Sequence, residues 1–181
     1  MKLKFTASAV IAAALTLTAC ATSPTGRNQV LLYSETQLAQ MGDQAFTGMK
    51  EELKISNKAV QNTYVECVAN AITAQVPASV FDGQWEVVVF DDEQVNAFAL
   101  PGGKIGVYTG LLNVAENQHQ LAAVIGHEVG HVIAEHGNER MSQSTLINMG
   151  SQAVGQVLMN QKPMLLAYSL WRSRGSILDS L

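Results

Sequence analysis

The chain contains 181 residues, of which 48% are apolar, 14% charged and 6% aromatic, enough apolar material for one globular core. Fourteen Gly and four Pro follow no repeating period, which excludes collagen-like, low-complexity and solenoid chains. Eleven Lys and Arg against fifteen Asp and Glu give a net charge of -4, so the surface repels phosphate backbones and we expect no nucleic-acid partner.

The first nineteen residues have the composition of a secretory signal. A positively charged start precedes an apolar run over residues 5–19, which is shorter than the roughly 20 residues that span a bilayer. The run ends in Leu-Thr-Ala followed by Cys20, which resembles the bacterial lipobox. We therefore expect a lipoprotein-type signal over residues 1–19, a lipid on Cys20 and a tether over residues 20–28. An ordinary cleaved signal with a coincidental cysteine is the alternative.

If Cys20 carries a lipid, Cys67 has no disulfide partner, and we expect it to be buried on a helix.

The first half of the remaining chain predicts two helices followed by a small sheet. Apolar residues three and four positions apart predict helices over residues 34–54 and 57–75. A β-branched run over residues 85–90 predicts a strand. Residues 95–100 and 104–109 predict two short strands joined by a Pro-Gly-Gly turn, and hence a small antiparallel sheet.

The second half predicts two further helices. Asn117, with Gln120 three residues later, is typical of a helix N-terminus, and the apolar pattern continues through residue 137. An alternative start lies four residues earlier, at Asn113. A further helix is predicted over residues 140–159, although two glycines weaken it.

The first of these helices carries a motif that indicates a metal site. His127 and His131 lie four residues apart, so on a helix their side chains differ by about 40° around the axis and can share one ion. Imidazole is a good zinc ligand, and Glu128 is placed to act as general base on a water at the metal. Chance would produce this pattern in roughly one of 200 chains of this composition. Gly130 inside the motif indicates a close approach by another element, room for substrate, or a neutral packing position.

Several stretches around the motif extend the pattern. They are Asn96-Ala97-Phe98-Ala99, Pro101-Gly102-Gly103, Ile105, Gly110-Leu111-Leu112 and Leu121-Ala122-Ala123-Val124-Ile125-Gly126. With them, the chain resembles the gluzincin metallopeptidase family that groups HtpX, the CAAX prenyl protease and periplasmic lipoprotein metalloproteases. The resemblance implies an α+β zincin-like domain over residues 29–161, mainly helical, with a small antiparallel sheet beside the metal-binding helix.

The resemblance also implies a set of site residues. His127 and His131 match the family's two His ligands for one Zn2+ per chain, and Glu128 matches its general base. A sheet edge that binds substrate as an added strand makes Asn96, Ala97 and Phe98 candidate substrate-binding residues.

The family's third zinc ligand is a Glu on a later helix, in a Glu-x-x-x-Asp pattern, and this sequence has no match to it. Residues 141–178 contain no carboxylate, and Asp179 is the one carboxylate that follows. We therefore expect residues 162–181 to be an atypical tail, produced by truncation or a frame change, and Asp179 stays open as a third ligand.

Two ligand-type residues directly after the motif do not complete the site on a continuous helix. Glu135 would lie about 12 Å along the axis from His127, and His136 would point about 140° away from His131.

These observations favour a zinc-dependent metalloendopeptidase that hydrolyses peptide bonds of envelope proteins, with water activated by zinc and Glu128. We expect protein or peptide substrates and membrane contact through the lipid. The residue after Cys20 is Ala21 and not Asp, which by resemblance to enterobacterial lipoprotein sorting favours the periplasmic face of the bacterial outer membrane. The alternative is a catalytically weak or inactive zincin-fold lipoprotein that acts as a binder or chaperone of envelope proteins.

Overall fold

The computed structural model describes residues 20–24 and 26–160, and helices make up most of it. The chain divides into two compact units, one ending at Arg140 and one beginning at Met141. The helices are α1 (Glu35–Glu52), α2 (Ala59–Thr73), α3 (Thr109–Val114), α4 (Gln118–Ile133) and α5 (His136–Asn160). The strands are β1 (Cys20–Thr22), β2 (Asn28–Val30), β3 (Glu86–Phe90), β4 (Ala97–Leu100) and β5 (Lys104–Tyr108). The predicted α+β class, mainly helical with a small sheet, is confirmed.

Helix α1 begins where local chemistry predicts. The Ser34 hydroxyl accepts a hydrogen bond from the backbone N–H of Gln37 at 3.3 Å, and the Gln37 side chain accepts one from the Ser34 N–H at 2.9 Å. This reciprocal capping box satisfies two N–H groups near the helix start that otherwise lack partners.

The central sheet has three strands in the order β3-β5-β4. Strands β4 and β5 pair antiparallel, with Ala97 opposite Val107, as their Pro-Gly-Gly connection predicts. Gly102 and Gly103 in that turn have φ of 83° and 73°, which glycine adopts without steric cost. Strand β3 joins on the other side of β5 in parallel, so the sheet is mixed rather than purely antiparallel.

The segment expected to be a tether takes part in a second, smaller sheet. Strands β1 and β2 pair antiparallel, with Cys20 opposite Val30 and Thr22 opposite Asn28. The domain's N-terminal side therefore carries a hairpin ahead of α1.

Helices cover both faces of the three-stranded sheet. On one face, side chains from β3, β4 and β5 pack with α2 and α4 in a single apolar cluster. On the other face, Phe46 of α1 packs against Phe90 and Tyr108. Burying a large apolar side chain stabilises the fold by about 1.5–3 kcal/mol, so these two cores hold the layers together. Helix α4 also packs along β4, one of the two edge strands of this sheet.

The expectation that Cys67 is buried is wrong, because its thiol side chain is exposed. Helix α2 directs Val65, Val68 and Ala69 into the core. Cys67 lies two residues from Val65, about 200° around the axis, and so faces away from that core.

Helices α4 and α5 meet at a sharp turn that the sequence did not predict. Helix α4 ends at Ile133, four residues before the expected end, and α5 begins at His136. The second compact unit begins at Met141, and its described part is the remainder of α5. None of the described helices combines the length and apolarity needed to cross a bilayer.

Candidate metal centre

Helix α4 is held in place at its N-terminus and along one buried face. The Asn117 side chain accepts hydrogen bonds from the N–H groups of His119 and Gln120 at 3.0 and 3.1 Å, so the predicted start at Asn117 is confirmed. The apolar residues Leu121, Ile125 and Val129 recur every four positions and are almost fully buried. His127 and His131, two positions after Ile125 and Val129, therefore lie on a helix that is held in place by its packing.

The structure brings together the three residues of the predicted motif. The Nε2 atoms of His127 and His131 lie 3.0 Å apart, and their ring centroids are 4.5 Å apart. Ligand atoms of His127, Glu128 and His131 all lie within 4.8 Å of one another. Two nitrogens bound tetrahedrally to zinc at 2.0–2.1 Å are about 3.3 Å apart, so a shift of a few tenths of an ångström accommodates the ion. Two converging imidazoles with a neighbouring carboxylate fit a zinc ion by chemistry as well as by distance.

Within residues 20–24 and 26–160, this group is the one cluster of three His, Cys, Asp or Glu with converging ligand atoms. Glu135 is not part of it; its carboxylate accepts a hydrogen bond from the Asn138 side chain at 3.1 Å. Asp179, the sequence's open candidate for a third ligand, lies outside the described residues.

Gly130, inside the motif, is not required by a close approach of another element. A Cβ built at this position meets no described atom within 4 Å beyond its own helix backbone and chain neighbours. Two of the three explanations for this glycine are left, room for substrate and a neutral helix position.

His136 lies beside the motif, contrary to the position that a continuous helix implies. Its Nδ1 atom is 2.6 Å from Nδ1 of His131, and the two ring centroids are 4.9 Å apart. The reason is the end of α4 at Ile133, followed by Glu135 with a φ of 52°. The change in chain direction turns His136 back toward His131.

Residues of the β1–β2 hairpin form hydrogen bonds with the turn between α4 and α5 and hold it in place. Gln29 donates a hydrogen bond to the backbone oxygen of Ala134 at 2.9 Å. Arg27 donates to both carboxylate oxygens of Glu139 at 2.5 Å, and this pairing holds the pKa of the Glu139 carboxyl below its ordinary value. Glu139 is only 7% exposed, so its charge is compensated within the protein.

A second link joins the turn to the segment before α1. The Asn138 side chain donates to the backbone oxygen of Tyr33 at 2.9 Å and accepts from its N–H at 3.3 Å. Asn138 and Glu139 carry no signal in the sequence that would mark them as site residues, because their partners lie more than 100 positions away.

A cleft of about 560 Å³ opens next to His131. The start of α1, the loop over residues 78–82, the β4–β5 turn and the α4–α5 turn form its walls. Its lining includes the carboxylates of Glu35, Asp82 and Glu135 and contains no Lys or Arg. A cavity of this size holds a peptide side chain.

The three candidate substrate-binding residues lie at or next to the edge strand β4. Asn96 accepts a hydrogen bond from the Tyr108 N–H through its backbone oxygen at 3.0 Å. Ala97 is buried in the sheet core, and the Phe98 ring packs against Phe46 and Phe90. The side chains of Ala97 and Phe98 pack in the core, whereas Asn96 is exposed. The backbone of β4 is therefore the group able to pair with a peptide. Among the described strands, β4 pairs with β5 alone.

The fold and this site are of the zincin type found in metallopeptidases: a helix buried along one face presents two imidazoles one turn apart, with the Glu128 carboxylate in the same cluster and an edge strand alongside. The sequence profile of peptidase family M48 matches residues 57–174, and the chain belongs to this family. The predicted family is confirmed.

Relatives with curated names agree with the family. The chain is 37% identical over 114 residues to the mitochondrial metalloendopeptidase OMA1 of Arabidopsis thaliana, covering 61% of this chain and 23% of that protein. It is 30% identical over 135 residues to the Bos taurus metalloendopeptidase OMA1, covering 68% of this chain and 25% of that protein. It is 25% identical over 100 residues to the Escherichia coli beta-barrel assembly-enhancing protease, covering 55% and 20%. The chain spans about a quarter of the length of these relatives.

The predicted location at the periplasmic face of the bacterial outer membrane is wrong. The relatives at 37% and 30% identity are mitochondrial enzymes, whereas the Escherichia coli relative is 25% identical. A short apolar segment ending in small residues is a weak guide to compartment, because signals for different membranes share that composition. The signal segment itself, residues 1–19, and the tail, residues 162–181, lie outside the described residues.

Proposed function

We propose that this chain is a zinc-dependent metalloendopeptidase in which His127 and His131 bind one Zn2+ and Glu128 is the general base. The observation that carries the proposal is the convergence of the two Nε2 atoms, 3.0 Å apart, with the Glu128 carboxylate in the same cluster. A bound zinc ion supplies Lewis-acid activation of water and of the scissile carbonyl. Glu128 accepts the proton of the attacking water and then donates it to the leaving amine.

The substrate is a protein or peptide in extended conformation. The free edge of β4, which includes Ala97 and Phe98 and is preceded directly by Asn96, pairs with it as an added strand, and the cleft beside His131 receives one of its side chains. Envelope proteins are the proposed substrate class, and the name of the Escherichia coli relative, which refers to beta-barrel assembly, supports it. A lipid on Cys20, at the start of β1, would anchor the chain to a membrane, and intact-mass measurement of the purified protein tests it.

A non-catalytic binder or chaperone of envelope proteins is the second candidate. The observation that favours it is the number of ligands: among the described residues, two His and one Glu form the cluster, and Glu128 is assigned to proton transfer. Catalytic zinc sites usually have three protein ligands and a water, and two imidazoles alone hold zinc weakly.

Zinc content and cleavage of casein separate the two candidates. A peptidase binds one zinc per chain and cleaves casein in a chelator-sensitive way. Glu128→Gln then keeps the zinc and loses about 10²–10⁴-fold in rate, because the base is gone while both ligands stay. His127→Ala loses the zinc. His119→Ala, two turns earlier on the same helix, is the matched control and keeps both properties. The absence of both zinc and cleavage favours the binder.

A further inference from the structure

The turn between α4 and α5 adopts a backbone conformation that needs an explanation. Glu135 has a φ of 52°, and among the described non-glycine residues it alone has a positive φ. Side chains with a Cβ rarely adopt this conformation, and where it occurs the surrounding structure holds it in place. Such positions cluster at functional sites, so the neighbours of Glu135 are the place to look for a role.

Contacts from distant segments hold the turn on both sides of Glu135. Gln29 binds the Ala134 backbone oxygen, and Arg27 binds Glu139 through two hydrogen bonds. Asn138 binds the backbone of Tyr33, as well as the Glu135 side chain itself. These contacts place the first residue of α5, His136, at one position relative to α4.

At that position the Nδ1 atoms of His136 and His131 are 2.6 Å apart. This distance is too short for two nitrogens bound to one tetrahedral zinc, which are about 3.3 Å apart, and it is that of a hydrogen bond. A hydrogen bond between two ring nitrogens needs one proton, and the tautomers of the two rings decide which nitrogen donates it. If Nε2 of neutral His131 binds a metal shared with His127, its lone pair must be free, so the proton of the ring must be on Nδ1.

We propose that His136 is a positioning residue for the metal centre: its Nδ1 accepts a hydrogen bond from the Nδ1–H of His131 and so fixes that ring's tautomer and orientation. The inference rests on the proposed function, because it assigns Nε2 of His131 to the metal. Ligand imidazoles commonly donate their second N–H to a neighbouring acceptor, and loss of that acceptor weakens metal binding. The ring proton of neutral His136 is then on its own Nε2.

Zinc affinity tests this role independently of cleavage. The zinc dissociation constant is measured for the full chain by competition with a chromophoric chelator, together with circular dichroism to establish folding. His136→Leu removes the acceptor, and we expect zinc binding to weaken about 10–100-fold. His136→Asn keeps a polar group near the position of Nδ1, and we expect it to stay within about threefold of the parent chain. His119→Leu is the matched control and leaves the affinity unchanged.

Nuclear magnetic resonance of the 15N-labelled, zinc-loaded parent chain gives a second readout that needs no variant. We expect His136 to be protonated on Nε2 and bare on Nδ1. Protonation of His136 on Nδ1 overturns the proposal, as does a folded His136→Leu variant with the parent's zinc affinity. Equal losses in the Leu and Asn variants also overturn it. If the parent chain binds no zinc at all, both the metal assignment and the role of His136 fail. If the parent binds zinc and the His136 variants bind it equally well, only the role of His136 fails.

Discussion

Replacing Gly130 by Ala is expected to stabilise the protein, although it alters the metal motif itself. Gly130 lies within α4 with helical backbone angles, and a Cβ added there meets no other described part of the chain within 4 Å. The change therefore adds helix propensity without a clash. A Gly-to-Ala change in a helix interior contributes about 0.8–1.0 kcal/mol, and for a chain of this size about 1 kcal/mol raises Tm by about 2–4 °C.

Two other glycines give controls of opposite kinds for the same substitution. At Gly126 a Cβ would lie 3.9 Å from the end of the Ile72 side chain, an ordinary contact, so Gly126→Ala is expected to stabilise as well. At Gly42 a Cβ would collide with the backbone oxygen of Pro101, so Gly42→Ala is expected to lower the free energy of unfolding by about 1–3 kcal/mol.

The assay is urea unfolding followed by circular dichroism, with zinc affinity measured in parallel. A Gly130→Ala variant less stable than the parent, with an unchanged m-value, would refute the reasoning, because something must then occupy the open position. Zinc binding is expected to stay at the parent's level. Slower casein cleavage by this more stable variant would indicate that the open space beside Gly130 is used by the substrate. Unchanged cleavage would indicate that Gly130 is a neutral helix position.

Two further predictions concern the core and the turn between α4 and α5. Ile125→Ala removes a fully buried side chain from the core face of α4 and is expected to cost about 2–5 kcal/mol of unfolding free energy, checked by urea unfolding; a loss below 1 kcal/mol would contradict the packing of α4 on the sheet. For Glu139 the prediction concerns pH. Because the Arg27 pair lowers the pKa of Glu139 in the folded state, its stabilisation is complete above the unfolded pKa of about 4.3 and is lost as pH falls through the folded value. The parent's Tm should therefore exceed that of Glu139→Gln at pH 7, and the gap should narrow as pH falls below the unfolded pKa; a gap that does not change with pH would contradict the ion pair.

Much of the fold and the central pair of the site follows from local pattern. The start of α1 at Ser34, the start of α4 at Asn117 and the antiparallel pairing of β4 with β5 each depend on residues a few positions apart. The juxtaposition of His127 and His131 is of the same kind, because helix geometry places side chains four positions apart on one side. No distant contact is needed to predict any of them.

The sequence alone determined the starts of α1 and α4, the β4–β5 hairpin and the two imidazoles one turn apart, since covalent geometry and capping chemistry act over a few residues. It did not predict the short helix α3 or the end of α4 at Ile133. The tertiary structure decided which side of α2 is buried, and so left Cys67 exposed, and it set β3 parallel to β5. It also turned His136 toward His131. The turn is held by contacts such as that of Arg27 with Glu139, 112 residues apart, and no local period encodes a contact across that distance.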